Sequence, residues 1–340
     1  MTRARAGAAA LLALAVAGGG AALAARCWWE NALSAPARTG DPLIFEVPRG
    51  AAFREVAAGL EAIGAVRDAR AFSWLARLEK NDGELHAGEY EIPAGLSARR
   101  VLELLVEGRV RLHRVVVPEG LTLVEIAQRF AAAGFGSEAE FVALARDPVF
   151  AKELGVPGET LEGYLFPETY QLPRGATPRQ IVETQLAQFE RAWREIAPLA
   201  AKRGISKRDS VVLASLIEKE TGADEERPLI SAVFHNRLAL GMRLETDPAV
   251  IYGIANFDGN LKRAHLEDES NPYNTYRISG LPPGPIANPG AAALRAAIEP
   301  TPGANYLFFV AKGDGTHEFT TNYRDHVNAV NRFQLRRKRR

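Results

Sequence analysis

A module of strand, turn and helix recurs along this chain, and the recurrence constrains its architecture more than any other feature. Val47-Pro48-Arg49-Gly50 precedes AAFREVAAGLEAIGAV, and Val117-Pro118-Glu119-Gly120 precedes LTLVEIAQRFAAAGF. In register, Phe53, Val56, Ala57, Leu60 and Gly64 align with Leu123, Ile126, Ala127, Phe130 and Gly134. Weaker copies open at Ile92-Pro93-Ala94-Gly95 and Leu172-Pro173-Arg174-Gly175. Each copy predicts a strand end, a Pro-x-Gly turn and an amphipathic helix with apolar residues at i, i+3, i+4 and i+7. In the two best copies Gly64 or Gly134 is placed to cap the end of the helix.

The N-terminus adds a second constraint. Residues 6–25, AGAAALLALAVAGGGAALAA, carry no charge, with Arg3 and Arg5 ahead of them and Arg26 behind. At about 1.5 Å per residue a helix over this run reaches roughly 30 Å, the thickness of a bilayer core. An uncleaved transmembrane anchor is the favoured reading. The rival is a cleavable signal peptide ending at Ala22-Leu23-Ala24. Either way the arginines ahead of the run favour an N-terminus held inside and a chain exported behind it. Arg26 argues against lipidation of Cys27, and this single cysteine excludes a disulfide scaffold and a zinc site built on several cysteines. Lys and Arg number 42 against 41 Asp and Glu, a balance that argues against a general nucleic-acid binder. With 47% hydrophobic residues the chain can fill real cores, so it is not disordered throughout.

The expected class is α+β, divided into a cytoplasmic tip and transmembrane helix at 1–26, a tether at 27–40, a repeat region at 41–155, a mixed α+β domain at 156–333 and a basic tail at 334–340. The repeat units are similar in size to exported carbohydrate-binding modules of the LysM type; a plain spacer is the competing reading. Beyond residue 160, helical patterns cover about 177–202, 207–221, 225–240, 247–254 and 290–298. A hairpin is predicted over 306–320 around Lys312-Gly313-Asp314-Gly315, with a last helix from Asn322. Residues 267–290, EDESNPYNTYRISGLPPGPIANPG, lack periodicity, and a loop of that length reads as a binding loop, with Tyr273, Asn274 and Tyr276 as its contacts.

Several chemistries fail on sequence grounds. His235, His265, His317 and His326 are scattered, no H-E-x-x-H occurs, and no metal site is expected. There is no G-x-S-x-G elbow and no phosphate-binding glycine loop after a strand. No cofactor is called for. Carboxylate chemistry remains, on the segment SVVLASLIEKET at 210–221. Glu218 and Glu220 lie about 200° apart around a helix and face away from each other. Glu218 shares its side with Val211, Ala214 and Ser215, small residues that leave room for a ligand; Glu220 shares its side with Leu213, Leu216 and Ile217, which reads as core. Periodicity nominates either, because a glutamate among apolar neighbours can be an acid of raised pKa. Two flanking segments, LEGYLFPETY at 161–170 and RLETDP at 243–248, add Glu162, Tyr164 and Asp247.

The order of LEGYLFPETY, ASLIEKET, HNRL, L-x-TDP-x-V-x-YG, YNTY, GLPPGPIANPG and a final EFTTNY resembles the YceG-like (MltG) family of endolytic murein transglycosylases, over roughly residues 41–333. The resemblance implies an N-terminal anchor, a LysM-like subdomain and a catalytic domain on the outer face of a bacterial cytoplasmic membrane. It implies as substrate the MurNAc-β-1,4-GlcNAc bond of nascent peptidoglycan strands, cut to leave 1,6-anhydro ends. It implies as the one catalytic acid the first glutamate of the motif, here Glu218, kept protonated by a partly dry site. It also implies partnership with wall synthases. Glu168 stands where many members carry Asp. Glu162, Tyr164, Asp247, Tyr273, Asn274 and Tyr276 are the expected substrate contacts. The alternatives are a non-catalytic, membrane-anchored peptidoglycan-binding scaffold and a water-using muramidase with Glu162 or Asp247 as second carboxylate.

Overall fold

A computed structural model of the chain describes residues 2–36, 40–81, 83 and 85–335, with side chains at 14 and from 16 onward. It divides into two compact units, one of residues 1–113 and 173–175, the other of 114–172 and 176–340. The division falls between the two best copies of the repeat, at 113/114.

In the first unit, helix α1 (Thr2–Leu33) is followed by β1 (Leu43–Val47), α2 (Phe53–Ala62), α3 (Ala69–Leu78), β2 (Gly88–Ile92) and α4 (Ala98–Val106). β1 and β2 pair antiparallel with Leu43 opposite Ile92 and Val47 opposite Gly88. Val56, Leu60, Phe72, Leu75, Tyr90, Val101 and Leu105 fill its core. Among the described residues no helix is long and apolar enough to cross a membrane. The side chains of residues 6–13 and 15 of the predicted anchor lie outside the description, as do residues 336–340 of the basic tail.

The second unit takes up β3 (Leu112–Val116) at its start and continues with α5 (Leu123–Ala132), α6 (Glu138–Ala145), α7 (Pro148–Glu153) and β4 (Thr169–Pro173), with β3 and β4 paired. The two best copies of the sequence repeat thus each open a pair of strands joined by helices, two between β1 and β2 and three between β3 and β4. All four copies of the short motif sit where a strand gives way to a helix: β1 to α2, β2 to α4, β3 to α5, and β4 to α8 (Pro178–Arg203). Gly50, Gly95, Gly120 and Gly175 all have left-handed φ, from 73° to 83°, the conformation that needs no Cβ. Ser97, Thr122 and Thr177 then cap the new helix with their side chains.

The remainder is mostly helical: α9 (Lys207–Glu220), α10 (Arg227–Ala239), α11 (Asp247–Tyr252), α12 (Arg263–Glu267) and α13 (Ala291–Ile298), then a hairpin of β5 (Phe308–Ala311) and β6 (His317–Thr320), and α14 (Tyr323–Val330). Ser206 caps α9, and residues Ser210 to Ile217 are all buried. A helix buried around its whole circumference is the spine of its domain. α9 therefore delivers its final residues, Glu218, Lys219 and Glu220, at the edge of the core.

Candidate active site

The last turn of α9 places its two carboxylates in different environments. Glu218, with 6% of its side chain exposed, lies with Oε1 3.3 Å from Nη2 of Arg227, which is equally buried. Its Oε2 accepts the backbone N–H of Gly290 at 3.1 Å. Arg227 also pairs with Asp224 and, at 3.6 Å, with Glu119. Burial, and then the charge of Glu218, push the Glu119 carboxyl above its usual range. A Cβ at Gly290 would fall 1.8 Å from Oε1 of Glu119, so the Glu119 carboxylate packs directly against this glycine. Glu218 thus belongs to an ion-pair cluster joining α9, α10 and the start of α13. The small neighbours Val211, Ala214 and Ser215 admit core residues: the Ser215 hydroxyl accepts the N–H of Ile286.

Glu220 is half-buried on the wall of a cavity of about 410 Å³. Burial pushes its carboxyl up to about 7, the neighbouring Thr246 side chain pulls it down, and the charge of Asp247 raises it further. Asp247, Glu245, Tyr276, Arg237 and His317 share the cavity. Tyr276 donates its hydroxyl to Oδ1 of Asp247 at 2.7 Å, and burial raises its own pKa. The LETDP and YNTY segments meet through Thr275, whose hydroxyl accepts the N–H of Thr246 at 2.9 Å and donates to the Thr246 carbonyl at 3.1 Å. Glu245, at φ 53°, is one of three non-glycine residues with left-handed backbone among those described, and it aims its carboxylate at Arg237, 3.1 Å away. Arg237 donates as well to the carbonyls of Arg243, Leu244 and Leu307, tying the loop to the hairpin. His317 is held by Glu226, which accepts both its N–H and its ring nitrogen. His326, stacked on Phe308, has its pKa lowered chiefly by burial.

Of the predicted contacts, Asp247 and Tyr276 come together at this cavity. Four do not. Glu162, 2% exposed, accepts the N–H of Leu123, the hydroxyl of Tyr252 and the amide of Asn288, and burial pushes it up to about 7. It clamps the loop at 288 to the start of α5, since Asn288 also donates to the Leu121 carbonyl and accepts from the N–H of Leu165. Tyr164, 1% exposed, is a core side chain set edge-on to Phe189. Asn274 is fully buried and donates to the carbonyls of His265, Leu266 and Asp268, bracing its own loop. Tyr273 packs edge-on against Tyr252, away from the Glu220 cavity. The long segment at 267–290 is thus anchored in the core at Asn271, Asn274, Thr275 and residues 285–290, while 267–270 are exposed. Among the described residues no cluster of His, Cys, Asp and Glu is arranged to hold a metal ion. Sequence reasoning set Glu220 aside as core and gave no role to Arg237, Glu245, His317 or His326. The motifs HNRL and LETDP were visible, but only the fold places them around one space.

Known proteins resemble this chain along most of its length. The sequence profile of the YceG-like family matches residues 45–332. The endolytic murein transglycosylase of Bacillus subtilis (strain 168) is 30% identical over 303 residues, covering 84% of this chain and 83% of that protein. That of Streptococcus pneumoniae serotype 2 (strain D39 / NCTC 7466) is 29% identical over 314 residues, covering 84% of this chain and 57% of the longer relative. The crystal structure of a yceG-like protein from Listeria monocytogenes superposes with a TM-score of 0.59 at 29% identity, over 85% of this chain and 99% of that one. A mixed α+β chain that matches the profile along most of its length belongs to the YceG-like family.

Proposed function

We propose that the chain is an endolytic murein transglycosylase whose catalytic carboxylate lies in the last turn of α9, where the resemblance implies Glu218 and the cavity geometry favours Glu220. The observation that carries the assignment is a half-buried carboxylate, raised to about 7, on a cavity wall. A carboxyl of that pKa serves as acid and base at neutral pH, whereas Glu218 is committed to Arg227 and Gly290. Glu220 protonates the glycosidic oxygen between N-acetylmuramic acid and N-acetylglucosamine. As carboxylate it then takes the proton of the muramyl C6 hydroxyl, which closes on C1 to give the 1,6-anhydro end without water. Asp247, held by Tyr276, keeps Glu220 basic enough to retain its proton and carries negative charge beside the forming oxocarbenium. The names of the Bacillus and Streptococcus relatives support this activity over a non-catalytic scaffold.

A water-using muramidase is the second reading, favoured by the presence of Asp247 in the same cavity as Glu220. Glu162, buried and fully hydrogen-bonded, is not available for that role. The uncharged run at 6–25 supports anchoring in the cytoplasmic membrane with both units outside it. The strand–helix–helix–strand order of the first unit supports a LysM-like grip on glycan. Partnership with wall synthases rests on the family resemblance alone. The deciding experiment treats purified glycan strands with the wild type, Glu220→Gln and Glu218→Gln, and weighs the products. We expect anhydro ends from the wild type, none from Glu220→Gln, and reduced but measurable cutting by Glu218→Gln. Cutting by Glu220→Gln sinks the acid assignment; hydrated ends from the wild type favour the muramidase.

A further inference from the structure

The four repeated Pro-x-Gly turns carry Arg49, Ala94, Glu119 and Arg174 as their middle residues. Their glycines share one left-handed conformation, so the turn itself does not call for an acid at position 119. The turn at 118–120 is seated on the end of α9. Its Gly120 carbonyl accepts a hydrogen bond from Nζ of Lys219 at 3.1 Å, and a Cβ on Gly120 would lie 3.5 Å from Cγ of Glu218. From this turn Glu119 brings Oε2 to 3.6 Å from Nη2 of Arg227, the same nitrogen that meets Glu218 at 3.3 Å. Asp224 takes the Nη1 end, and the buried Nε of Arg227 has no hydrogen-bond partner among the described residues. One guanidinium thus serves Asp224, Glu119 and Glu218, and none of them receives the two parallel N–H bonds that make an arginine–carboxylate pair strong. Glu119 is half-exposed, whereas Glu218 is buried.

We propose that Glu119 is a positioning residue for Glu218: by drawing on the same guanidinium nitrogen, it keeps Arg227 from locking Glu218 as a carboxylate. The inference rests on the transglycosylase reading with its acid at the position that the resemblance implies. An acid with an arginine to itself stays ionised and has no proton to give. A guanidinium divided between carboxylates holds each less firmly, and the like charge of Glu119 favours a proton on the pair. After burial, the same repulsion from Glu218 pushes Glu119 above the usual carboxylate range. The other charged groups at this end of α9 are accounted for: Asp224 pairs with Arg227, Glu226 holds His317, and Lys219 spends a donor on the Gly120 carbonyl.

The test follows strand cutting by full-length wild type, Glu119→Gln, Glu119→Asp and Glu218→Gln in detergent micelles, with kcat and KM measured across pH. Glu119→Gln keeps the shape of the side chain, removes its charge and leaves Nη2 of Arg227 to Glu218. We expect its kcat at neutral pH to fall about tenfold with KM within about twofold, and its alkaline limb to move about one pH unit lower. Below the shifted limb it should recover most of the wild-type rate. Glu119→Asp, which returns the carboxylate, should restore most of the neutral rate. An equal loss at every pH overturns the proposal, because a merely structural Glu119 would affect all protonation states alike. A loss confined to KM overturns it as well and makes Glu119 a substrate contact. If Glu218→Gln cuts at the wild-type rate, the acid is not at position 218 and the inference falls with that reading. An inactive Glu218→Gln beside an unmoved limb in Glu119→Gln overturns this inference alone.

Discussion

Oε1 of Glu218 lies 3.3 Å from Nη2 of Arg227, and neither side chain is more than 6% exposed. Arg227 opens α10 and Glu218 closes α9, so the pair fastens together two helices whose ends carry the site. Deleting one partner of a buried ion pair leaves an uncompensated charge and costs about 3–5 kcal/mol. Arg227→Met should therefore destabilise the second unit by about 3 kcal/mol in urea titrations at neutral pH. The double variant Arg227→Met with Glu218→Gln should recover part of that loss, with a coupling of about 1 kcal/mol or more. Additive losses would mean that the pair is incidental.

The second prediction concerns Glu220 and its proton. On the proposed assignment the protonated form of Glu220 is the active one, and burial pushes its pKa up to about 7, so kcat/KM should fall as pH rises through about 7. The charge of Asp247 raises that pKa and the Thr246 side chain lowers it. Asp247→Asn should move the alkaline limb to lower pH, and Thr246→Val should move it to higher pH. Limbs that stay put in both variants would show that another group titrates.

The two glutamates also show where sequence reading ends. The helix, its Ser206 cap and the opposed directions of Glu218 and Glu220 follow from local pattern, as do the hairpin and the repeated strand–turn–helix modules. What each glutamate faces does not follow, because the partners come from far along the chain. Arg227 and Gly290 meet Glu218, whereas Thr246, Asp247 and the hairpin surround Glu220. Apolar neighbours on a helix face read equally as core and as the dry lining of a site. Asn274 shows the same limit: a polar residue in an irregular segment looks like a ligand contact, and a buried loop also uses such groups to satisfy its own backbone.

Glu162 makes a thermodynamic prediction. Burial raises its folded pKa to about 7 from 4.5, against the pull of its hydrogen bonds from Leu123, Tyr252 and Asn288. A raised carboxyl means that the folded chain holds a proton the unfolded chain releases. Its contribution is fully present below about pH 4.5 and is lost as pH rises through about 7. That gap corresponds to roughly 3 kcal/mol. Glu220, raised by a similar amount, adds a second fall over the same window. Denaturant titrations at pH 5 and pH 8 should show the wild type less stable at the higher pH. Glu162→Gln should remove about half of that difference. A wild-type stability that rises over this window would contradict the burial argument for both groups.

The last prediction separates backbone strain from packing at Gly163, in the segment 161–170. Gly163 has φ 87°, and a Cβ there would lie 2.6 Å from Cγ of Pro285 and 2.7 Å from Cγ1 of Val211. Val211 lies inside the buried spine α9, and Pro285 begins the buried run that carries Asn288 to Glu162, so neither can retreat. Gly163→Ala should cost about 2–5 kcal/mol, the left-handed penalty plus overpacking. Gly50, in one of the repeated turns, has φ 73° with nothing within 4 Å of the added atom. Gly50→Ala should cost only the conformational share, about 1–2 kcal/mol. Denaturation of the two variants side by side decides it. Equal losses would mean that the contacts of Gly163 with Pro285 and Val211 relax freely, and that the tight seating of the 285–290 segment on α9 is not what holds the site in shape.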